Sequence, residues 1–137
     1  MFPFLKRDIK ALESIQRQFT KKISGLCGLS YNDRLRELGA LTLEHRRRYT
    51  DMVTVYKNLH GLINDTPFSV GVEVIQTTTR GSGARLKQQH AKSRVCANFF
   101  RVRAAQCWNK LSLPILNSKS ISVFKRSYYK HLFNEQN

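Results

Sequence analysis

The stretch TLEHRRRYTDMVTVYKNLHGLI, residues 42–63, decides how the chain is read. Its apolar residues Tyr49, Met52, Val53, Tyr56, Leu59 and Ile63 recur at intervals of three and four. That spacing lines one side of a helix of about 18 residues. Thr42 supplies an N-cap hydroxyl, and Glu44 puts a carboxylate in the first turn, where the helix dipole favours it. The run Arg46-Arg47-Arg48 lies near the same end, where cations are disfavoured. It therefore serves either a solvated face or something other than helix stability.

Upstream, Leu5, Ile9, Leu12, Ile15, Phe19 and Ile23 keep the same period and predict a helix over 6–23 with an apolar core face. Its other side carries Lys6, Arg7, Lys10, Arg17, Lys21 and Lys22. Gly25 and Gly28 stop it. Ser30, with Asp33 three residues on, caps a short second helix whose stripe is Tyr31, Leu35 and Leu38, and Gly39 ends it.

Downstream the helical period is lost over 64–91. Val70, Val72 and Val74 alternate with small or polar residues, Thr77-Thr78-Thr79 extends the β-prone run, and Gly81-Ser82-Gly83 interrupts it. A basic β-hairpin or loop is expected there. From Val95 to Leu111 helical spacing returns through Phe100, Ala104, Cys107, Trp108 and Leu111, and Pro114 limits continuation. Ser118 or Ser120 caps a last helix, with Ile121, Phe124, Tyr128 and Leu132 inward and Lys125, Arg126 and Lys130 outward. The expected fold is mainly α: a small helical domain of about five helices with a basic hairpin or loop inserted near residues 70–90. Its segments are a three-helix part over 1–67, the basic hairpin or loop over 68–92, and a basic helical pair over 93–137, forming one domain or a fragment of one.

The chain has 137 residues, 24 Lys and Arg against 9 Asp and Glu, and a net charge of +15. With 41 % hydrophobic residues it is too apolar for a disordered basic tail. The charge is uneven: residues 1–67 hold 12 basic and 7 acidic groups, residues 68–137 hold 12 and 2, and no acidic residue stands between Glu73 and Glu135. Such a stretch repels itself unless it faces an anion, and phosphate is the obvious one. Phosphate contacts are assigned to Arg80, Arg85, Lys87, Lys92, Arg94, Arg101 and Arg103, with Lys125, Arg126 and Lys130 as a second tier. Among aromatics interleaved with this charge, Phe99 and Tyr129 are the candidates for base stacking.

Other chemistry is not legible. Cys27, Cys96 and Cys107 fit no zinc-finger spacing, and His45, His60, His90 and His131 are scattered, so no metal and no cofactor is expected. Asp8, Asp33, Asp51 and Asp65 form no paired-carboxylate motif, and Gly81-Ser82-Gly83 closes no phosphate loop. Neither a signal peptide nor a transmembrane segment is expected, which points to the nucleus or cytoplasm and away from membranes.

The ordered wording of the segments resembles a known family. The run Asp8-Ile9-Lys10-Ala11-Leu12-Glu13-Ser14-Ile15-Gln16-Arg17 is followed by Gly25-Leu26 and Gly28-Leu29-Ser30-Tyr31-Asn32-Asp33-Arg34-Leu35. Leu38-Gly39, Leu43-Glu44-Xaa-Arg46-Arg47, Val55-Tyr56-Lys57 and Thr79-Arg80-Gly81 come next. Asn98-Phe99-Phe100-Xaa-Xaa-Arg103, Trp108-Asn109-Lys110-Leu111 and Ser122-Val123-Phe124-Lys125 complete the set. Together they resemble the C-terminal tail of the reverse-transcriptase polyprotein of jockey-type non-LTR (LINE-type) retrotransposons, over nearly the whole chain.

The resemblance implies a region that follows the polymerase palm and thumb, with the catalytic Tyr-Xaa-Asp-Asp box and the endonuclease upstream of it. The opening Met1-Phe2-Pro3-Phe4 is similar to an interior Trp-Ser-Pro-aromatic segment, which implies a detached tail or broken copy. Ser112-Leu113-Pro114 departs from the family, where Pro follows the Trp-Asn-Xaa-Leu segment more directly. The expected function is a non-catalytic tail that holds RNA or DNA through its phosphates. The alternatives are a packing module that docks on the polymerase thumb or on itself, and an element remnant without a role. An apolar patch left exposed on the helix from Leu5 to Ile23, or on Trp108, would favour packing.

Overall fold

A computed structural model of the chain describes residues 5–63, 73–75 and 85–136, apart from the Arg94 side chain. In order, its elements are α1 (Lys6–Lys21), α2 (Tyr31–Glu37), α3 (Leu43–Leu59), β1 (Val74–Ile75), β2 (Arg85–Leu86), α4 (Arg94–Ala97), α5 (Phe100–Asn109), α6 (Leu113–Leu116) and α7 (Ile121–Gln136). The protein is mainly α, with a short antiparallel pairing of Val74 with Leu86 and Ile75 with Arg85. Val70, Val72, Thr77, Thr78, Thr79 and the Gly81-Ser82-Gly83 run lie outside the described residues.

Local chemistry sets most boundaries. The Ser30 hydroxyl accepts the Asp33 N–H at 3.2 Å, and the Thr42 hydroxyl accepts the His45 N–H at the same distance, so both expected caps form. Ser120 rather than Ser118 caps α7, accepting the Val123 N–H at 3.3 Å. Gly39 and Gly61 have φ of 57° and 64°. After Gly39 the Ala40 N–H reaches the Leu35 carbonyl, and after Gly61 the Leu62 N–H reaches that of Lys57, both at 2.8 Å. This is the glycine-terminated helix end in which only a residue tolerant of the left-handed region avoids strain.

Five expected helices become seven among the described residues, for two reasons. The segment over 95–111 breaks at Phe99, whose backbone is extended (φ −60°, ψ 140°) and starts α5 afresh. Pro114 does not close a helix but sits in the first turn of α6, where its missing N–H has no helical partner to lose.

The elements form two compact units, with divisions between Arg47 and Arg48 and between Tyr128 and Tyr129, inside α3 and α7. The end of α7 belongs to the first unit because it bonds back to residues preceding α3. Gln136 donates to the Ala40 carbonyl at 2.9 Å and accepts the Thr42 N–H at 3.1 Å.

In the unit containing α1 and α2, the buried apolar residues are Leu35, Leu41 and Leu132. Arg34 is buried beside them without a carboxylate. Its guanidinium donates to the Leu29 carbonyl at 2.6 Å, the Thr20 hydroxyl at 3.2 Å and the Arg17 carbonyl at 3.4 Å. The last of these places a cation at the C-terminal turn of α1, where the helix dipole favours it. Glu13 does the reverse for α3, accepting the Leu43 N–H at 3.0 Å while also taking a hydrogen bond from the Tyr31 hydroxyl.

One expectation about α1 is overturned. Its apolar stripe is not a buried core face: Leu5, Leu12, Ile15 and Phe19 are exposed, Ile15 and Phe19 at 63 % and 68 %, and Ile9 and Ile23 are half-buried. The residues that bond inward are Glu13, Gln16 and Thr20, on an adjacent strip of the helix. Periodicity reports which residues share a face, not what covers it.

The other unit is built on an aromatic cluster. Tyr56 stacks on Phe124 at 4.5 Å, Phe124 lies 5.8 Å from Trp108 and 5.9 Å from Tyr128, and Tyr128 stacks on Tyr49 at 6.2 Å. Tyr56, Trp108, Phe124 and Tyr128 are all essentially inaccessible, as are Met52, Val55, Leu86 and Ala104. Burial of each large side chain contributes about 1.5–3 kcal/mol. The Tyr56 hydroxyl is satisfied by the Ser118 carbonyl at 2.8 Å. Trp108, 2 % exposed, offers no patch.

Candidate nucleic-acid interface

The hairpin is held from both sides. On one side the Lys87 N–H donates to the Glu73 carbonyl at 2.8 Å. On the other, the Asn109 side chain accepts the Leu86 N–H at 2.9 Å and donates to the Leu86 carbonyl at 2.8 Å. A side-chain amide thus takes the place of a neighbouring strand and closes an edge whose backbone groups are buried with Leu86. The Trp108-Asn109 pair therefore performs two tasks, Trp108 in the core and Asn109 on the hairpin.

The ten residues assigned to phosphate meet different fates. Arg80 and the Arg94 side chain lie outside the described residues. Arg85 on β2 and Lys92 before α4 are exposed, with no polar partner among the described residues. Lys87 is exposed but donates to the Glu73 carboxylate at 2.7 Å. That hydrogen bond, and then the charge behind it, hold the Glu73 carboxyl below its ordinary range. Arg101 is exposed and donates to the Gln89 side chain at 2.9 Å.

Arg103 departs furthest from its expected role. Its Nε donates to Asp51 Oδ2 at 2.6 Å, Nη2 to Asp51 Oδ1 at 3.0 Å, and Nη1 to the Asn98 carbonyl at 2.6 Å. With every guanidinium nitrogen committed within the fold, Arg103 is a structural arginine. On α7, Lys125 is half-buried and Arg126 exposed, both in the unit of the hairpin. Lys130 is exposed in the other unit. Of the two stacking candidates, Phe99 is 61 % exposed, whereas Tyr129 donates its hydroxyl to the Gly39 carbonyl and stacks on Phe133.

Asp51, Asn109 and His60 were not singled out by their pattern. Asp51 carried a legible signal, a lone carboxylate within the apolar face of a helix. Asn109 carried none, since its partner Leu86 is distant in sequence. All three cysteines are free, Cys27 exposed and Cys96 and Cys107 half-buried. Among the described residues no cluster of His, Cys, Asp or Glu could hold a metal ion, and no helix is long and apolar enough to cross a membrane. No family model, no curated protein and no solved structure matches the chain.

Proposed function

We propose that the chain is a non-catalytic nucleic-acid-binding module, equivalent to the C-terminal tail of a jockey-type retrotransposon reverse transcriptase and acting in the nucleus or cytoplasm. It holds RNA or DNA through phosphates, while the chemistry of such a polyprotein belongs to its polymerase and endonuclease regions. The observation that carries this reading is uncompensated charge: Arg85, Lys92, Lys125, Arg126 and Lys130 have no carboxylate partner among the described residues. Glu73 and Asp51 withdraw Lys87 and Arg103 from that set. An exposed Phe99 adds a platform for a base. The test is binding to RNA and DNA oligonucleotides over a salt series. Affinity for both should fall steeply between low and physiological salt; absent or salt-insensitive binding overturns the reading.

The exposed stripe of Leu5, Leu12, Ile15 and Phe19 supports a second reading, a packing module whose α1 docks on an apolar surface such as a polymerase thumb or on another copy of the chain. Sedimentation over a concentration range tests the self-associating form, which predicts a dimer; a monomer throughout leaves only the thumb.

A further inference from the structure

The unit with the hairpin contains a cleft of about 470 Å³ lined by Leu59, His60, Val74, Trp108, Leu116, Asn117 and Ser118. That lies within the roughly 300–1,000 Å³ of small-molecule pockets. Its lining is mixed, apolar from Leu59, Val74 and Leu116 and polar from His60, Asn117 and Ser118. His60 Nδ1 lies 2.9 Å from the Tyr56 carbonyl. A carbonyl only accepts, so Nδ1 carries the hydrogen of this bond, which fixes the ring against Tyr56. The Asn117 side chain, which can both donate and accept, has no partner among the described residues. The Ser118 hydroxyl, by contrast, is already bonded to the Ile115 carbonyl.

His60 is also the exposed end of a series of stacked rings. Its centroid lies 3.9 Å from that of Tyr56 at an interplanar angle of 17°, and Tyr56 in turn stacks on Phe124. Val74, on the cleft wall, pairs across the hairpin with Leu86, so Arg85, which has no carboxylate partner among the described residues, adjoins its partner in the chain. A planar, uncharged heteroaromatic ring with hydrogen-bonding edges, delivered on an anionic backbone, matches each of these features.

We infer that the cleft binds an unpaired nucleobase of a single-stranded nucleic acid, stacked on His60 and bonded at its edge by Asn117. This rests on the phosphate-binding reading and adds to it a preference for single strands, since a base within a duplex is stacked and paired and cannot enter. The base contributes affinity that salt does not screen.

The test uses the whole chain, whose single tryptophan, Trp108, lines the cleft. Single-stranded RNA, single-stranded DNA and a duplex of equal length are titrated while anisotropy of a labelled oligonucleotide and Trp108 emission are followed. The expected result is that single strands bind more tightly and change Trp108 emission, while the duplex binds without changing it. The RNA and DNA arms show which strand the cleft takes. His60→Ala and Asn117→Ala should each weaken single-strand binding, His60→Ala by about tenfold, with duplex affinity and the salt slope unchanged. Asn117 is exposed, so its variant keeps the test valid should His60→Ala disturb the Tyr56 stack. Equal binding of single strands and duplex with unchanged emission, or variants that bind single strands as the parent does, overturns the inference and leaves the phosphate reading standing. Failure to bind any nucleic acid overturns both.

Discussion

Arg103 on α5 grips Asp51 on α3 with two parallel N–H···O bonds of 2.6 and 3.0 Å, the carboxylate 7 % and the guanidinium 19 % exposed. Such a fork is the strongest geometry available to an ion pair, and it joins two elements far apart in sequence. Breaking it by Asp51→Ala leaves a mostly buried cation without its counter-charge. The expected loss is about 2–4 kcal/mol, read from denaturant midpoints. Replacing both partners at once, Asp51→Leu with Arg103→Met, should cost less than either single change. A double-mutant cycle without coupling would remove the pair from the account of stability.

The same pair separates two kinds of arginine by measurement. Arg103→Gln should lower the melting temperature and leave the salt dependence of nucleic-acid binding unchanged. Replacing Arg85, Lys92, Lys125 and Arg126 by Gln should do the opposite, reducing the log–log salt slope by roughly 0.9 for each phosphate the variant no longer neutralises. Retention of the full slope in that variant would place the phosphates elsewhere.

Asn109→Ala removes both bonds that close the hairpin edge and leaves the Leu86 N–H and carbonyl buried and unpaired. A cost of about 1–3 kcal/mol is expected, together with faster hydrogen exchange at the Leu86 amide. Unchanged exchange there would mean that another group satisfies the edge.

Tyr31 sets an alkaline limit. Burial first, then the hydrogen bond to the Glu13 carboxylate and its charge, push the phenol well above the usual tyrosine range. The unfolded chain ionises this phenol near pH 10, the folded chain only at stronger alkali. The contribution of Tyr31 is therefore complete below about pH 10 and is lost as pH rises beyond it. Near-ultraviolet titration should show a late-ionising tyrosine that Tyr31→Phe removes. In that variant the alkaline fall in stability should be shallower.

On α1, Ile15→Ser and Phe19→Ser should change stability by no more than about 0.5 kcal/mol, because neither side chain is buried. A core role would instead cost several kcal/mol, so thermal melts decide the placement of this face. If the stripe joins copies of the chain, the same variants remain monomeric at concentrations where the parent associates.

Much of the local structure is legible in the residues alone. Helix-period runs, the Ser30, Thr42 and Ser120 caps and the glycine at 39 depend on neighbours within a few residues, and sequence carries such information directly. The inward set Phe124, Tyr128 and Leu132 is legible for the same reason. The break at Phe99 and the position of Pro114 at a helix start are not, since the run over 95–111 is equally compatible with one helix or two.

The sequence by itself determined that the chain is mainly helical, that a basic hairpin or loop interrupts the helices, and that positive charge without counter-charge fills its second half. Each of these depends on residue type and spacing alone. Tertiary structure alone decided which of those charges stay available. Asp51 lies about fifty residues before Arg103 and Glu73 about fourteen before Lys87, and only folding brings them within hydrogen-bond reach. It also decided that Leu5, Leu12, Ile15 and Phe19 of the α1 stripe are exposed, and that His60, Trp108 and Asn117 share one cleft. Burial and proximity are properties of the packed chain, and no local period encodes what lies on the far side of a face.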